Sequence, residues 1–186
     1  MQCGEHELTL TASVGIAVYP DNGGDVSALL KNAETAMRSA KKSGAGSYSF
    51  FTAAMNVQSL AKLEVENELR GAIERNELVL YYQARVDVPA GRLAGAEALV
   101  RWQHPKRGLV PPNEFIPIAE DSGLIVPLTA WVVPAACAQL QQWQCAGLPV
   151  VPLSINLSAH SFRERGLVEL IGDSLRQYHV APSLLE

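Results

Sequence analysis

Charge and aromatic residues are scarce in this 186-residue sequence: 18% of it is Asp, Glu, Lys or Arg, and 6% is Phe, Trp or Tyr. Positive charge is the scarcer sign, with 15 Lys and Arg against 19 Asp and Glu and a formal net charge of -4. A nucleic-acid polymer is held by a basic face, so that class of partner is excluded. A small anionic ligand is not, because one arginine and a metal reverse the field locally. There are three cysteines, Cys3, Cys137 and Cys145. An odd count at these spacings gives neither a disulfide framework nor a zinc knuckle, and reduced thiols packed as small apolar residues are expected. No apolar run is long enough to span a bilayer, and no basic-then-apolar stretch opens the chain. The expectation is a soluble, cytoplasmic protein with no membrane segment. Low-complexity segments and internal repeats are also lacking. What the sequence does have is 48% hydrophobic residues, enough for a packed core.

The first fifty residues read as one strand–helix–strand unit. Leu8 to Tyr19 is rich in Thr, Val and Ile and reads as a strand. The cluster Pro20 to Gly24 makes a turn. Val26, Leu29, Leu30, Ala33, Met37 and Ala40 then fall on one helical face. Asp25 is placed to cap this helix, Lys41 and Lys42 lie near its C-terminus, and Gly44 stops it. Ser47 to Phe51 reads as a second strand. One such unit leaves a sheet face and two edges uncovered, as expected for the end of a larger domain.

The pattern weakens from Thr52 to Leu60, where the junction between two parts is placed. Val65, Leu69, Ala72 and Ile73 mark a helix ending near Asn76. Strands follow at Leu78 to Gln83 and about Leu93 to Leu99, joined by a turn through Pro89 and Gly91. His104 to Pro117 should be a loop, with a short helix from about Glu114 to Ser122. Ile125, Leu128, Val132, Ala136, Leu140 and Trp143 define a long helix stopped by Gly147, within which Pro134 should produce a kink or a helix start close before it. Val150 to Asn156 is an apolar strand, and Leu167 to Tyr178 a last helix. Alternating strands and helices predict a mainly parallel sheet or part of a barrel. A full barrel of this kind takes eight strands and about 250 residues.

Glu97 lies near the end of its strand in the run GAEALVRW, and an unpaired carboxylate is costly to bury there. Asn156 lies at the end of the next parallel strand, in LSINLSAHSF. On a barrel such strand ends face one mouth, and a carboxylate beside an amide oxygen makes a hard-oxygen site for Mg²⁺ or Mn²⁺. A Glu97–Arg101 ion pair and an Asn156 cap on the following helix would account for the same residues. Arg101 is placed to clamp a phosphate in bidentate fashion, or to form a surface salt bridge. Trp102 reads as core or rim packing, with stacking on a guanine as the other use.

Taken together, QARVD, EALVRW, FIPIAEDSGLI and INLS occur in an order and spacing that closely resemble the EAL domain, the family that hydrolyses cyclic di-GMP. The match runs from about Leu63 to Glu186. Residues 8 to 51, with SVGIA at Ser13 to Ala17, AETAM at Ala33 to Met37 and AKKSGAG at Ala40 to Gly46, are similar to the end of a GGDEF domain, the diguanylate cyclase family. The resemblance implies an α/β chain. Residues 1–53 would be a strand–helix–strand remnant of a GGDEF-like domain, residues 54–62 a linker, and residues 63–186 the first part of an (α/β)8 TIM-like EAL barrel. It implies metal-dependent cleavage of cyclic di-GMP to a linear dinucleotide in the parent protein, with Mg²⁺ or Mn²⁺ as cofactor and a homodimer through the EAL part as a further partner. The family's roles carry over as follows: Glu97 as the catalytic metal ligand, Asn156 as a second metal ligand, and Arg101, Gln83 and Leu99 as substrate-binding residues. Ala84 stands where the family has Pro. In the GGDEF-like part Arg38 replaces Tyr, and Ala45 and Gly46 replace Arg and Asn, while Lys41 keeps a phosphate-contacting position. The GGDEF signature and the later EAL motifs are expected to lie outside this sequence, which leaves the isolated piece inactive. The alternative from another class is a degenerate EAL module that binds cyclic di-GMP and signals without hydrolysis.

Overall fold

The computed structural model describes residues 2–3, 6–7, 11–44 and 46–186, in two units, Met1–Leu63 and Glu64–Glu186. In the first unit, β1 (Gln2–Cys3) pairs antiparallel with β2 (His6–Glu7). Strand β3 (Val14–Ile16), helix α1 (Val26–Ser43) and strand β4 (Tyr48–Phe50) then form a βαβ crossover, with Val14 opposite Tyr48 and Ile16 opposite Phe50 in parallel register. Asp25 caps α1 as expected: its Oδ1 accepts the N–H of Ala28 at 2.8 Å. Gly44 ends the helix at φ 124°, and Lys41 and Lys42 stand in its last turn.

Strand β3 is shorter than the expected Leu8 to Tyr19. Leu8 to Leu10 lie outside the described residues. At the other end Val18 turns its N–H to Asn22 Oδ1 at 2.9 Å, so the chain is already in the turn. The packed face of α1 also differs. Ala36 and Ala40 are buried, whereas Val26, Leu30 and Met37 are exposed. The cause is Gly15: a Cβ there would lie 1.9 Å from the Ala33 carbonyl oxygen and 2.2 Å from the Met37 nitrogen. Helix and strand approach so closely that only the small residues of α1 fit between them.

Helix α2 (Ala53–Glu74) covers the stretch where the junction was expected, so residues 54–62 are helical. In the second unit, β5 (Leu78–Asp87) and β6 (Arg92–His104) are longer than expected and pair antiparallel, with Gly91 in the connecting turn at φ 60°. Strand β7 (Gly108–Val110) returns antiparallel beside the end of β6, inside the stretch expected to be loop. His104 closes this turn, its Nδ1 accepting the N–H groups of Lys106 and Arg107, each at 3.1 Å. Helices α3 (Pro112–Ser122) and α4 (Ile125–Cys145) lead to β8 (Leu153–Ile155), which pairs parallel with β6, and α5 (Leu167–Gln177) follows.

Only the β6–β8 pair among these three pairings is parallel, so of the two expected alternatives, a mainly parallel sheet or part of a barrel, the first does not describe these strands. The reason is connection length: a short turn forces a hairpin, and a parallel return needs a dozen or more residues, usually a helix. Leu153 bridges Leu185 in parallel on its other side, so the parallel character grows away from β5.

Two cores cover the helix side of the sheet. Trp102 and Phe115, both fully buried, meet edge to face with centroids 5.9 Å apart, beside Leu69, Ala72 and Leu128. Ala96 and Ala98 on β6 meet Ala136, Cys137, Leu140 and Leu153 in the second. Helix α4 starts at Ile125, well before Pro134, and carries Pro134 within it, so the expected start near that residue is not found. Cys137 is buried as anticipated, with its thiol pushed up by burial, but Cys145 is exposed. Among the described residues no helix is long and apolar enough to cross a membrane.

Candidate functional site

Alternation divides β6 into two faces. Ala96, Ala98 and Trp102 pack into the cores, and Glu97, Leu99 and Arg101 take the other side. The register carries that side across the sheet. Gln83 on β5 lies opposite Glu97, and Ser154 on β8 lies opposite Glu97 on the other flank. Tyr81 lies opposite Leu99, and Val79 opposite Arg101. Glu97 is not at the end of β6, which runs on to His104. It is near the end of the stretch shared with β8, whose last pair is Ala98 with Ile155.

Asn156 follows β8 directly, and its Nδ2 donates to Glu97 Oε1 at 2.7 Å. The carboxylate and the amide expected to converge therefore do so. Among the described residues, Glu97 Oε2 and Asn156 Oδ1 accept no hydrogen bond; it is the amide nitrogen of Asn156 that faces the carboxylate. Glu97 makes no ion pair with Arg101. Asn156 does not cap the following turn; there Ser158 Oγ accepts the Ser161 N–H at 3.2 Å. Ser161 Oγ in turn lies 2.8 Å from Thr129 Oγ1 on α4. This buried hydroxyl pair pins the segment after β8 and so fixes where Asn156 stands.

Arg101 donates Nη1 to the Val100 carbonyl at 2.9 Å, and its Cζ lies 5.8 Å from the centre of the Tyr81 ring. A cleft of about 210 Å³ opens beside these groups, lined by Leu99, Arg101, Ile116, Glu120, Leu128 and Asn156 among others. Gln83 is exposed and in register with Glu97, but is not part of the cleft wall. Two residue pairs further along β5 and β6, Arg85 donates to Glu186, whose Oε2 also accepts the Ser154 hydroxyl at 2.9 Å. These hydrogen bonds, the one from Arg85 first, hold the Glu186 carboxyl below the usual carboxylate range.

The sequence reading missed Tyr81, Glu120, Ser154 and the Thr129–Ser161 pair. Tyr81 was within reach, because it stands two residues before Gln83 and therefore on the same face. The hydroxyl pair carried no such signal, since its partners are far apart in the chain. Among the described residues no group of three or more His, Cys, Asp and Glu side chains lies together.

The second unit is thus a helix-backed α/β sheet with an acid, an amide and a guanidinium on its open face, beside a cleft. The chain belongs to the EAL domain family, whose model matches residues 66–186. The model of the diguanylate cyclase GGDEF domain matches residues 1–47, so the two occur in tandem. Among curated proteins, the chain is 41% identical over 184 residues to the bifunctional diguanylate cyclase/cyclic di-GMP phosphodiesterase MucR of Pseudomonas aeruginosa, covering 99% of this chain and 27% of that protein. It is 38% identical over 171 residues to the cyclic di-GMP phosphodiesterase PdeR of Escherichia coli, covering 92% of this chain and 26% of that one. The chain thus spans about a quarter of the length of these relatives. Among solved structures, the PaMucR phosphodiesterase in its c-di-GMP complex superposes with a TM-score of 0.62 at 42% identity, over 66% of this chain and 49% of that one.

Proposed function

We propose that this chain contributes to a metal-dependent phosphodiesterase that hydrolyses cyclic di-GMP to the linear dinucleotide. The observation that carries the proposal is the Asn156–Glu97 contact at 2.7 Å, on the same open face as Arg101. MucR and PdeR, with their named activity, and the c-di-GMP complex of PaMucR support the choice of substrate.

The donor types fit a hard divalent cation: the two residues are in contact, each keeps an oxygen that accepts no hydrogen bond, and a carboxylate and an amide oxygen are ligands of the kind Mg²⁺ and Mn²⁺ take. Glu97 and Asn156 are the residues proposed to hold it. When bound, such an ion supplies Lewis-acid polarisation of the scissile phosphodiester and a more acidic water nucleophile. The protein's own groups then divide the remaining work. Arg101, with four of its five N–H donors unspent, binds a phosphate of the ligand. Leu99 offers an apolar wall to the ligand from the cleft, and Gln83 offers an amide from the neighbouring strand. Ser158, Ser161 and Thr129 keep Asn156 in place.

The test is hydrolysis of cyclic di-GMP by the protein carrying this chain within a complete EAL domain, with and without Mg²⁺ or Mn²⁺. Ion-dependent release of the linear dinucleotide is the expected result. Tight binding without turnover at any ion concentration would instead identify a cyclic di-GMP sensor.

A further inference from the structure

Arg101 has few restraints of its own. Among the described residues its guanidinium forms one hydrogen bond, to the adjoining Val100 carbonyl at 2.9 Å, and no carboxylate pairs with it. A long side chain held this way retains rotamer freedom that phosphate binding must remove. The other restraint is aromatic. Tyr81 pairs with Leu99 across β5 and β6, which makes it the diagonal neighbour of Arg101 on the same face, within reach of a long side chain. The Arg101 Cζ stands 5.8 Å from the Tyr81 ring centre, inside the range where a guanidinium is attracted to a ring face. Tyr81 is 47% exposed, and its hydroxyl makes no hydrogen bond among the described residues. Folding therefore uses little of this side chain, and the ring rather than the hydroxyl is what meets the arginine.

We propose that Tyr81 is a positioning residue for Arg101: its ring holds the guanidinium on the open face of the sheet, aimed at the ligand phosphate before the ligand arrives. The proposal rests on the cyclic di-GMP reading above and adds to it a residue acting through Arg101 rather than on the ligand. It gives the aromatic ring a defined role and leaves the hydroxyl with none, so the two halves of the side chain are separable by substitution.

The experiment measures the Kd for cyclic di-GMP, with kcat and KM alongside, in the protein carrying a complete EAL domain. Tyr81→Leu should raise Kd and KM about 2- to 5-fold, the size of an exposed cation–π contact, with kcat unchanged. Tyr81→Phe, which keeps the ring, should restore wild-type binding and so separate the effect from damage to β5. In an Arg101→Ala background, Tyr81→Leu should have no further effect, because the ring acts through the arginine. A Tyr81→Leu variant that binds like wild type overturns the proposal, as does a loss of equal size in the Arg101→Ala background, which would show direct contact with the ligand. A wild-type protein that binds no cyclic di-GMP overturns the functional reading itself, and this proposal with it.

Discussion

Asn156 Nδ2 and Glu97 Oε1 lie 2.7 Å apart, although Glu97 is on β6 and Asn156 follows β8, with helices α3 and α4 between them in the chain. Parallel pairing of Ala98 with Ile155 brings the strand ends together, and the Thr129–Ser161 hydroxyl pair holds the turn beyond. Asn156→Ala removes both the hydrogen bond and the amide oxygen. It is expected to raise the Mn²⁺ concentration needed for half-maximal turnover, with the melting temperature little changed because Asn156 is exposed. Titration of activity with Mn²⁺, beside a thermal melt, checks both parts.

Arg101 lines the cleft with one hydrogen bond satisfied. Arg101→Ala should weaken cyclic di-GMP binding by about 1.5–3 kcal/mol, the loss of one charge-assisted hydrogen bond. Calorimetric titration of wild type and variant measures this directly. Arg101→Lys should recover only part of the loss, because an ammonium cannot reproduce bidentate geometry.

Glu77 is the partner through which Trp102 is fixed. Its carboxylate accepts from Arg75 Nε at 2.6 Å and from Trp102 Nε1 at 3.1 Å, and the Arg75 bond in particular holds it below the ordinary carboxylate range. A depressed carboxylate stabilises the fold above its unfolded pKa, and that stabilisation disappears as pH falls through the folded value. Urea midpoints are therefore expected to drop on acidification below the ordinary Glu range. Glu77→Gln should lower the midpoint at neutral pH and flatten its acid dependence. Trp102→Phe, which deletes one hydrogen bond to the same carboxylate and leaves a cavity where the fully buried indole packed, should cost about 2–4 kcal/mol at neutral pH.

Gly15 has no room for a side chain, with the Ala33 carbonyl oxygen 1.9 Å from where a Cβ would stand. Gly15→Ala should destabilise the first unit by about 1–3 kcal/mol or more, as overpacking does. A lowered urea midpoint for the first unit, with the second unchanged, is the expected observation.

Much of this was legible in the sequence because the signals were local. The Asp25 cap, the Gly44 stop and the end of α4 before Gly147 follow from caps and periodicity. The convergence of Glu97 with Asn156 followed from their expected positions near the ends of neighbouring parallel strands. What was not legible depended on partners distant in the chain. Helical period placed Val26, Leu30 and Met37 on one face of α1, but the contact that selects the buried face is Gly15 on β3, and it selects Ala36 and Ala40. The alternation of strands and helices suggested a parallel sheet, while the short connection at Gly91 had already dictated a hairpin. Strand β7 was hidden because three residues between a Pro-Lys-Arg turn and Pro111 carry no periodic signal. The stretch before Leu63 looked irregular because a helix with few buried residues shows little apolar period.

The most direct test of the account is ion-dependent turnover of cyclic di-GMP by the Glu97→Gln variant of the protein carrying a complete EAL domain. The substitution keeps the shape and the hydrogen-bonding reach of the side chain but removes its charge. If Glu97 and Asn156 hold the cation, turnover falls to background at every Mg²⁺ and Mn²⁺ concentration while cyclic di-GMP binding through Arg101 persists. Wild-type turnover in Glu97→Gln, with an unchanged dependence on the ion, would remove Glu97 from the site and contradict the account.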